Sequence, residues 1–567
     1  MAVTKIFIPK IPFKLSHFCY LLFFSILLLL EISTSTAVGD CGADSRPEPS
    51  NPLIAFLQRL QSDALNTLGP ESFNSKLYVD LSLKHDLAFT EAAFARLPRV
   101  NGIIPASYLQ SFLDTYLGEA GSDLVYAEPD DFEPEPEGFL PKVENPMVRA
   151  WALHVHSLWK NLSRKVSDDV KERPERHTLL PLPEPMIIAG GVFRELYYWD
   201  SYWIVRGLMV SKMYDTAKAI VNNLLWLMDV YGHVLNGARA YYTNRSQPPL
   251  LSSMVMEIYM KTGDLAFVNK SFPSLVKEHT FWNSGIHKVM IRDLQGHEHS
   301  LSRYFAMWNK PRPESATNDE ETASKLLNSS DKENFYLQIA SGAETGWDFT
   351  FFAKQLGDIP TSDKFLKASS ARLSAMYSIF WNKEMNQWLD YWLNTSNSVC
   401  EYIHQFEARN QNDKIFASNF IPLWTWRHNS GSVEDGTMVE RVLQSFQKSG
   451  LLYPAGIAAS LSKSGQQWDF PMGWAPLQHM IIEGFSKSGS KSAWTLAEDI
   501  AIRWIRTNYA AYNTSGKMYE KYDVEGCGKI GIEGVYKPKT GFGWSNGVVL
   551  SLLDEFGWPS DREIACQ

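Results

Sequence analysis

Ala217-Lys218-Ala219-Ile220-Val221-Asn222-Asn223-Leu224-Leu225-Trp226-Leu227-Met228-Asp229-Val230-Tyr231-Gly232 is the stretch that decides the kind of fold this chain builds. Ala217, Ile220, Val221, Leu224 and Met228 fall at i, i+3, i+4, i+7 and i+11, which puts an apolar stripe along one side of an α-helix, and Gly232 supplies the stop. The same pattern recurs. Leu53, Phe56, Leu57 and Leu60 form a stripe that stops near Gly69-Pro70, and Val439, Val442, Leu443 and Phe446 form one that stops at Gly450. Leu366, Leu373, Met376 and Phe380 give one more. No comparable series of alternating strand segments accompanies them, so the expected class is all-α. The 567 residues, 45% hydrophobic and 13% aromatic, are enough to bury a very large core. Length alone suggests roughly three or four domains, yet no long flexible linker divides the chain. A single helical toroid is therefore expected, with long loops rich in Gly, Pro and Trp gathered at one end. One insert, Glu128-Pro129-Asp130-Asp131-Phe132-Glu133-Pro134-Glu135-Pro136-Glu137, is expected to be an extended surface loop, because like charges and prolines resist packing.

The formal net charge is −9 and the Lys and Arg residues are not clustered, which argues against nucleic acid as a partner. A neutral or small polar substrate fits better. Lys5, Lys10 and Lys14 precede an apolar run from Phe18 to Leu30, followed by the small residues Ser33 to Gly39. That layout fits a signal peptide, or a signal-anchor if the run extends back through Leu15; a full membrane span normally needs about 18 or more apolar residues. Either way residues 1–39 form an address and residues 40–567 the body, which is expected outside the cytoplasm. Of the five cysteines, Cys19 lies in the apolar run, leaving Cys41, Cys400, Cys527 and Cys566, whose three possible pairings sequence does not separate. Their spacings match no zinc pattern, and no metal or cofactor is expected. Asn161, Asn244, Asn269, Asn328, Asn394 and Asn513 each begin an Asn-X-Ser or Asn-X-Thr sequon, so surface glycans are expected, with Asn244 the exception because it lies inside a candidate site motif.

Two carboxylates stand in aromatic settings: Asp348 in Gly346-Trp347-Asp348-Phe349, and Glu520 in Tyr519-Glu520-Lys521-Tyr522-Asp523. Cleavage of a glycosidic bond needs such a pair, one protonated to donate to the leaving oxygen and one ionised to activate water or attack the sugar. Aromatic rings give flat apolar faces for pyranose rings and raise a neighbouring carboxyl's pKa by desolvation. Around them lie Gly190-Gly191-Val192-Phe193-Arg194-Glu195-Leu196-Tyr197-Tyr198-Trp199-Asp200-Ser201-Tyr202, then Asn236-Gly237-Ala238-Arg239, Asn244-Arg245-Ser246-Gln247-Pro248-Pro249, Arg312-Pro313-Glu314-Ser315, and Gln466-Gln467-Trp468-Asp469-Phe470-Pro471-Met472-Gly473-Trp474-Ala475-Pro476.

In order and number these motifs closely resemble those of the α,α-trehalases, inverting glycoside hydrolases with an (α/α)6 toroid, and the plant members most of all. The resemblance runs from about Leu53 to Trp558. It implies hydrolysis of trehalose to two glucose molecules, with Asp348 as general acid and Glu520 as general base, about 6.5–9.5 Å apart to leave room for water. Trp199, Trp347, Trp468 and Trp474 offer apolar ring faces, and Asp200, Asn236, Arg245, Gln247, Arg312 and Glu314 offer hydroxyl partners. Ser246, Pro313 and Gly346 complete the implied substrate site. A monomer is expected. Arg245 and Arg312 also read as structural salt-bridge partners, and Glu520 as half of a solvated Glu-Lys pair.

Three features depart from the family pattern. Val192 stands where the family has Arg after the double glycine, and Val535 stands at a glutamate position, with Glu533 displaced by two. The chain also passes from Trp347-Asp348-Phe349-Thr350 straight into Phe351-Phe352-Ala353, without the Arg-Trp pair and the Pro-Val-Asp-Leu-Asn segment that the family has there. A segment long enough for a loop and much of a helix is missing after Phe349. A sugar-binding protein without activity, or another (α/α)6 glycosidase, are the alternatives.

Overall fold

The computed structural model describes residues 51–344, 371–393, 403–425, 433–534 and 537–566. The sequence-read helices are present: Pro52–Leu68 ends on Gly69, Tyr214–Tyr231 on a left-handed Gly232, and Val433–Lys448 two residues before Gly450. Residues 371–375 are helical and run into a wider turn at Met376–Phe380, while Leu366 lies outside the described residues. Strands among the described residues are short, the longest being the antiparallel pair Lys288–Arg292 and Glu298–Ser302, in which Met290 faces Ser300.

The helices sort into two layers. Tyr198–Val210, Ala475–Ser486 and Gly543–Phe556 are buried nearly all round and line the interior. They belong to an arc in which each helix touches the next, running Leu251–Thr262, Tyr198–Val210, Gly543–Phe556, Ala475–Ser486, Pro422–Thr425. Outside it pack the amphipathic helices Pro146–Leu162, Tyr214–Tyr231, Leu265–Trp282 and Lys491–Ser515, the last carrying Val433–Lys448 on its flank. This alternation of inner and outer helices is the one an (α/α)6 toroid requires. The crossing of Tyr198–Val210 with Gly543–Phe556 is permitted by two glycines. A Cβ on Gly547 would lie 2.0 Å from the Trp203 carbonyl oxygen, and one on Gly207 would lie 2.6 Å from Gly547 Cα. A buried ion cluster spans the arc. Arg206 pairs with Glu483 at 2.8 Å and Glu257 at 3.3 Å, and Trp424 Nε1 donates to Glu483 at 2.6 Å, which joins four inner helices.

The acidic insert differs from expectation. It has no regular structure, but Pro129 and Pro136 are buried, Phe132 stacks on His156 at 4.7 Å, and Asp131 accepts from the amides of Asp215 and Thr216 at 2.7 and 3.0 Å. A carboxylate at an otherwise unsatisfied helix start, beside an aromatic anchor, gives a charged loop enough to pack with. Cys527 and Cys566 form a disulfide. Cys19, Cys41 and Cys400, and with them the N-terminal address, lie outside the described residues; among the described residues no helix is long and apolar enough to cross a membrane. Asn161, Asn269, Asn328 and Asn513 are exposed, whereas both amide atoms of Asn244 are buried, which closes that sequon to a glycan.

Candidate active site

The site is built where loop motifs leave the inner helices. Gly190 sits against Gly541, whose carbonyl oxygen would be 2.5 Å from any Cβ there, and the Gly543 amide donates to Ala189 at 2.7 Å. Two distant motifs are thereby locked side by side. From this junction Tyr198–Val210 starts with Trp199 and Asp200 in its first turn, and Gly543–Phe556 starts with Trp544.

The indoles form a continuous cluster. Trp199 meets Trp468 at 6.0 Å and Trp544 edge-on at 5.9 Å, and Trp468 stacks on Trp474 at 4.0 Å. Among the described indoles of this cluster, Trp468 presents the widest free face, being 40% exposed; Trp474 is 1% exposed, covered by Trp468 on one side and facing the Lys521 ammonium at 5.5 Å. Trp474 is thus a backing ring and not the sugar-facing surface expected for it. Glu520 precedes the strand Lys521–Asp523, which pairs with Met472–Trp474. It is 2% exposed; its Oε2 accepts from the Lys539 amide at 3.2 Å, and its carbonyl accepts from Trp544 Nε1 at 3.0 Å. Glu520 is therefore no solvated half of an ion pair. Burial pushes the neighbouring Lys521 ammonium down to about 8 against the opposing pull of Glu520 and Glu533, and it donates to the Glu533 carbonyl. Burial, reinforced by the charges of Glu520 and Glu195, lifts the Asp200 carboxyl to about 8, so Asp200 is a neutral acid at pH 7.

The polar side is joined to the indoles through Gln247, whose Oε1 accepts from the Trp199 amide at 3.1 Å. Arg245 pairs with Glu314 at 2.5 Å and lies over the Tyr242 ring at 4.9 Å. Arg245 Nε and Nη1 and Glu314 Oε2 are buried without a partner among the described residues. A buried donor or acceptor left unmade costs about 1–3 kcal/mol, so these atoms have capacity for a further polar partner. Asn236 donates to the carbonyls of Ser246 and Ala343 at 3.5 and 3.3 Å. Three expected binding residues are engaged with protein groups. The Ser246 hydroxyl donates to Val234 at 2.6 Å, the Pro313 carbonyl accepts from Gln61 at 2.9 Å, and Arg312 forks onto Asp319 at 2.9 and 2.7 Å, the salt bridge that sequence left open. Asp348, Gly346, Trp347 and Val535 lie outside the described residues.

Sequence reasoning missed the layer beneath. Arg239, fully buried, binds Asp80 and Glu195 at 3.2 Å each and Asp123 at 3.0 Å, and Lys76 reaches Glu195 at 2.9 Å. Tyr197 donates to Glu195 and meets Tyr242 at 2.9 Å, so the network ends under Arg245. Arg239 and Glu195 stood inside quoted motifs, but Lys76, Asp80 and Asp123 carried no pattern.

Two layers of helices, with a buried carboxylate beside an indole cluster and with polar groups unpaired among the described residues, suit the chemistry of a glycoside hydrolase. The family model described as Trehalase matches residues 71–351 and 350–557, two stretches that meet where the sequence reading places a missing segment. A probable trehalase of Oryza sativa subsp. japonica is 56% identical over 91% of this chain and 97% of its own length, and the Arabidopsis thaliana trehalase is 49% identical over 90% and 87%. The solved structure of a neutral trehalase from Saccharomyces cerevisiae is similar at TM-score 0.49 and 23% identity, covering 65% of this chain and 73% of that one. The chain belongs to the trehalase family.

Proposed function

We propose that this chain hydrolyses α,α-trehalose to two glucose molecules with inversion, Glu520 acting as general base and Asp348 as general acid. The observation that carries this reading is Glu520, a carboxylate withdrawn from solvent and tied through Trp544 to the indole cluster. Glu520 takes a proton from water as the water oxygen bonds to the anomeric carbon. The glycosidic carbon–oxygen bond breaks, and the Asp348 proton passes to the departing oxygen. Trp468 supplies a ring face, and Arg245 and Glu314 bind sugar hydroxyls through the atoms left unpaired among the described residues. Asp200, being neutral, donates to a hydroxyl. Asn236 and Gln247 hold the loop that bears Arg245. The enzyme acts as a monomer outside the cytoplasm, glycosylated at the exposed sequons and either secreted or anchored by its N-terminal apolar run. The Cys527–Cys566 bridge favours an oxidising compartment.

Proton NMR of the first product molecules tests the mechanism: one α- and one β-glucose are expected from each trehalose. Formation of α-glucose alone would mean retention and remove Glu520 from the base role.

A further inference from the structure

Trp468 rides near the end of the loop 460–470, which closes on itself where the Phe470 amide donates to the Ser462 carbonyl at 2.9 Å. The middle of this loop, from Lys463 to Gln466, is exposed. Its first residue belongs to the scaffold. Ser460 is buried and bridges Phe416, and its neighbour Ala459 donates to the Met472 carbonyl and accepts from the Ala417 amide, both at 2.9 Å. Asp469 ties the exposed part to that anchored end. Its Oδ1 accepts from Ser460 Oγ at 2.7 Å and its Oδ2 from Ser464 Oγ. Each serine oxygen also takes a backbone amide, that of Ser462 on Ser460 at 3.2 Å and that of Gln466 on Ser464 at 3.1 Å. Trp468 precedes this clasp by one residue and stacks on Trp474 at 4.0 Å with its planes 7° apart. Apolar contact is non-directional, so the stack alone does not fix where one ring lies along the other. The hydrogen-bonded backbone on either side of Trp468 does.

We propose that Asp469 is a positioning residue for substrate binding: by clasping Ser460 and Ser464 it holds the Trp468 ring, before sugar arrives, in the place where a glucose ring rests on it. The proposal rests on the reading of Trp468 as a sugar-facing ring. A carboxylate suits the task because it accepts on both oxygens, whereas an asparagine would turn an N–H toward one of two hydroxyls that are already set to donate.

The test is a double-mutant cycle on trehalose hydrolysis with the parent, Asp469→Ala, Trp468→Ala and the double variant. Asp469→Ala is expected to raise KM about three- to tenfold, because a ring no longer held in advance must be ordered when sugar binds, while kcat stays within about threefold. Trp468→Ala should raise KM at least as much. Adding Asp469→Ala to it should raise KM no further, since the ring through which Asp469 acts is gone. Ser464→Ala removes one arm of the clasp from an exposed position and is expected to raise KM by a smaller factor, which preserves the test if Asp469→Ala does not fold. A role in the scaffold alone would lower Tm and change KM by the same factor with and without the Trp468 ring, and that result overturns the proposal. So does an unchanged KM in Asp469→Ala beside a raised one in Trp468→Ala. An unchanged KM in Trp468→Ala removes the sugar-facing reading of that ring, and the role of Asp469 with it. Calorimetric titration of trehalose into the same four proteins carrying Glu520→Gln reads the comparison as Kd without turnover, so the clasp is tested even if the parent fails to hydrolyse trehalose.

Discussion

Asp200 shows how one buried side chain is set to a chemical task by its surroundings. At 5% exposure beside Glu520, its carboxyl titrates at about 8, against 3.8 in the absence of those surroundings. The folded pKa lies above the unfolded one. The stability this group contributes is therefore full below about 4 and is lost as pH rises through about 8. Asp200→Asn, neutral at every pH, should gain on the parent in Tm as the pH is raised from about 5 to 8 and hold that gain above 8, which calorimetry at a series of pH values would follow. A Tm difference independent of pH would mean that Asp200 is ionised in the folded protein. At this scale the sequence was informative but not selective. Arg245 and Glu314 were legible as polar partners beside aromatic residues, and they keep unpaired atoms among the described residues. Arg312, Ser246 and Trp474 carry the same chemistry in the same motifs, yet they bind Asp319, Val234 and Trp468. Nothing in a linear pattern tells a guanidinium that meets a ligand from one that meets an aspartate seven residues on.

The elements divide into those that periodicity reveals and those that it hides. The helices around Leu57, Ala217 and Val439 lie at the surface or in the outer layer, half exposed, and so show an apolar stripe. The inner helices Tyr198–Val210, Ala475–Ser486 and Gly543–Phe556 are buried nearly all round, polar residues included, and have no one-sided stripe to find, so only their motifs marked them. All three start within the site. What holds their loops is the buried network of Lys76, Asp80, Asp123, Glu195 and Arg239, which ties the short helix Ser75–Val79 to the site motifs. Removing one partner of such a network strands charges of like sign. Arg239→Met is expected to cost about 3–5 kcal/mol, read from urea denaturation, because Asp80, Asp123 and Glu195 would be left with Lys76 alone. A loss below about 1 kcal/mol would show that the network is dispensable to the scaffold.

Taken whole, the molecule ties the segment before helix Pro146–Leu162 to its last helix. The Glu144 amide donates to the Trp558 carbonyl at 2.8 Å, and Lys142 reaches the carbonyls of Asp554 and Glu555 at 2.9 and 3.0 Å. Against this seam, Cys566 is bridged to Cys527, four residues past Asp523 and in the same loop that follows Glu520. The bridge closes a stretch of 39 residues that contains the whole of helix Gly543–Phe556. Opening it, by Cys527→Ser or by reductant, is expected to lower stability by roughly 2–5 kcal/mol and to lower Tm accordingly, with an unchanged Tm counting against any such role. The practical corollary concerns manufacture. A host that makes this protein in a reducing cytosol would deliver the thiol form, softer around the loop that follows Glu520 and quicker to lose activity on storage, while a host that routes it through an oxidising secretory pathway would deliver the durable one from the same gene.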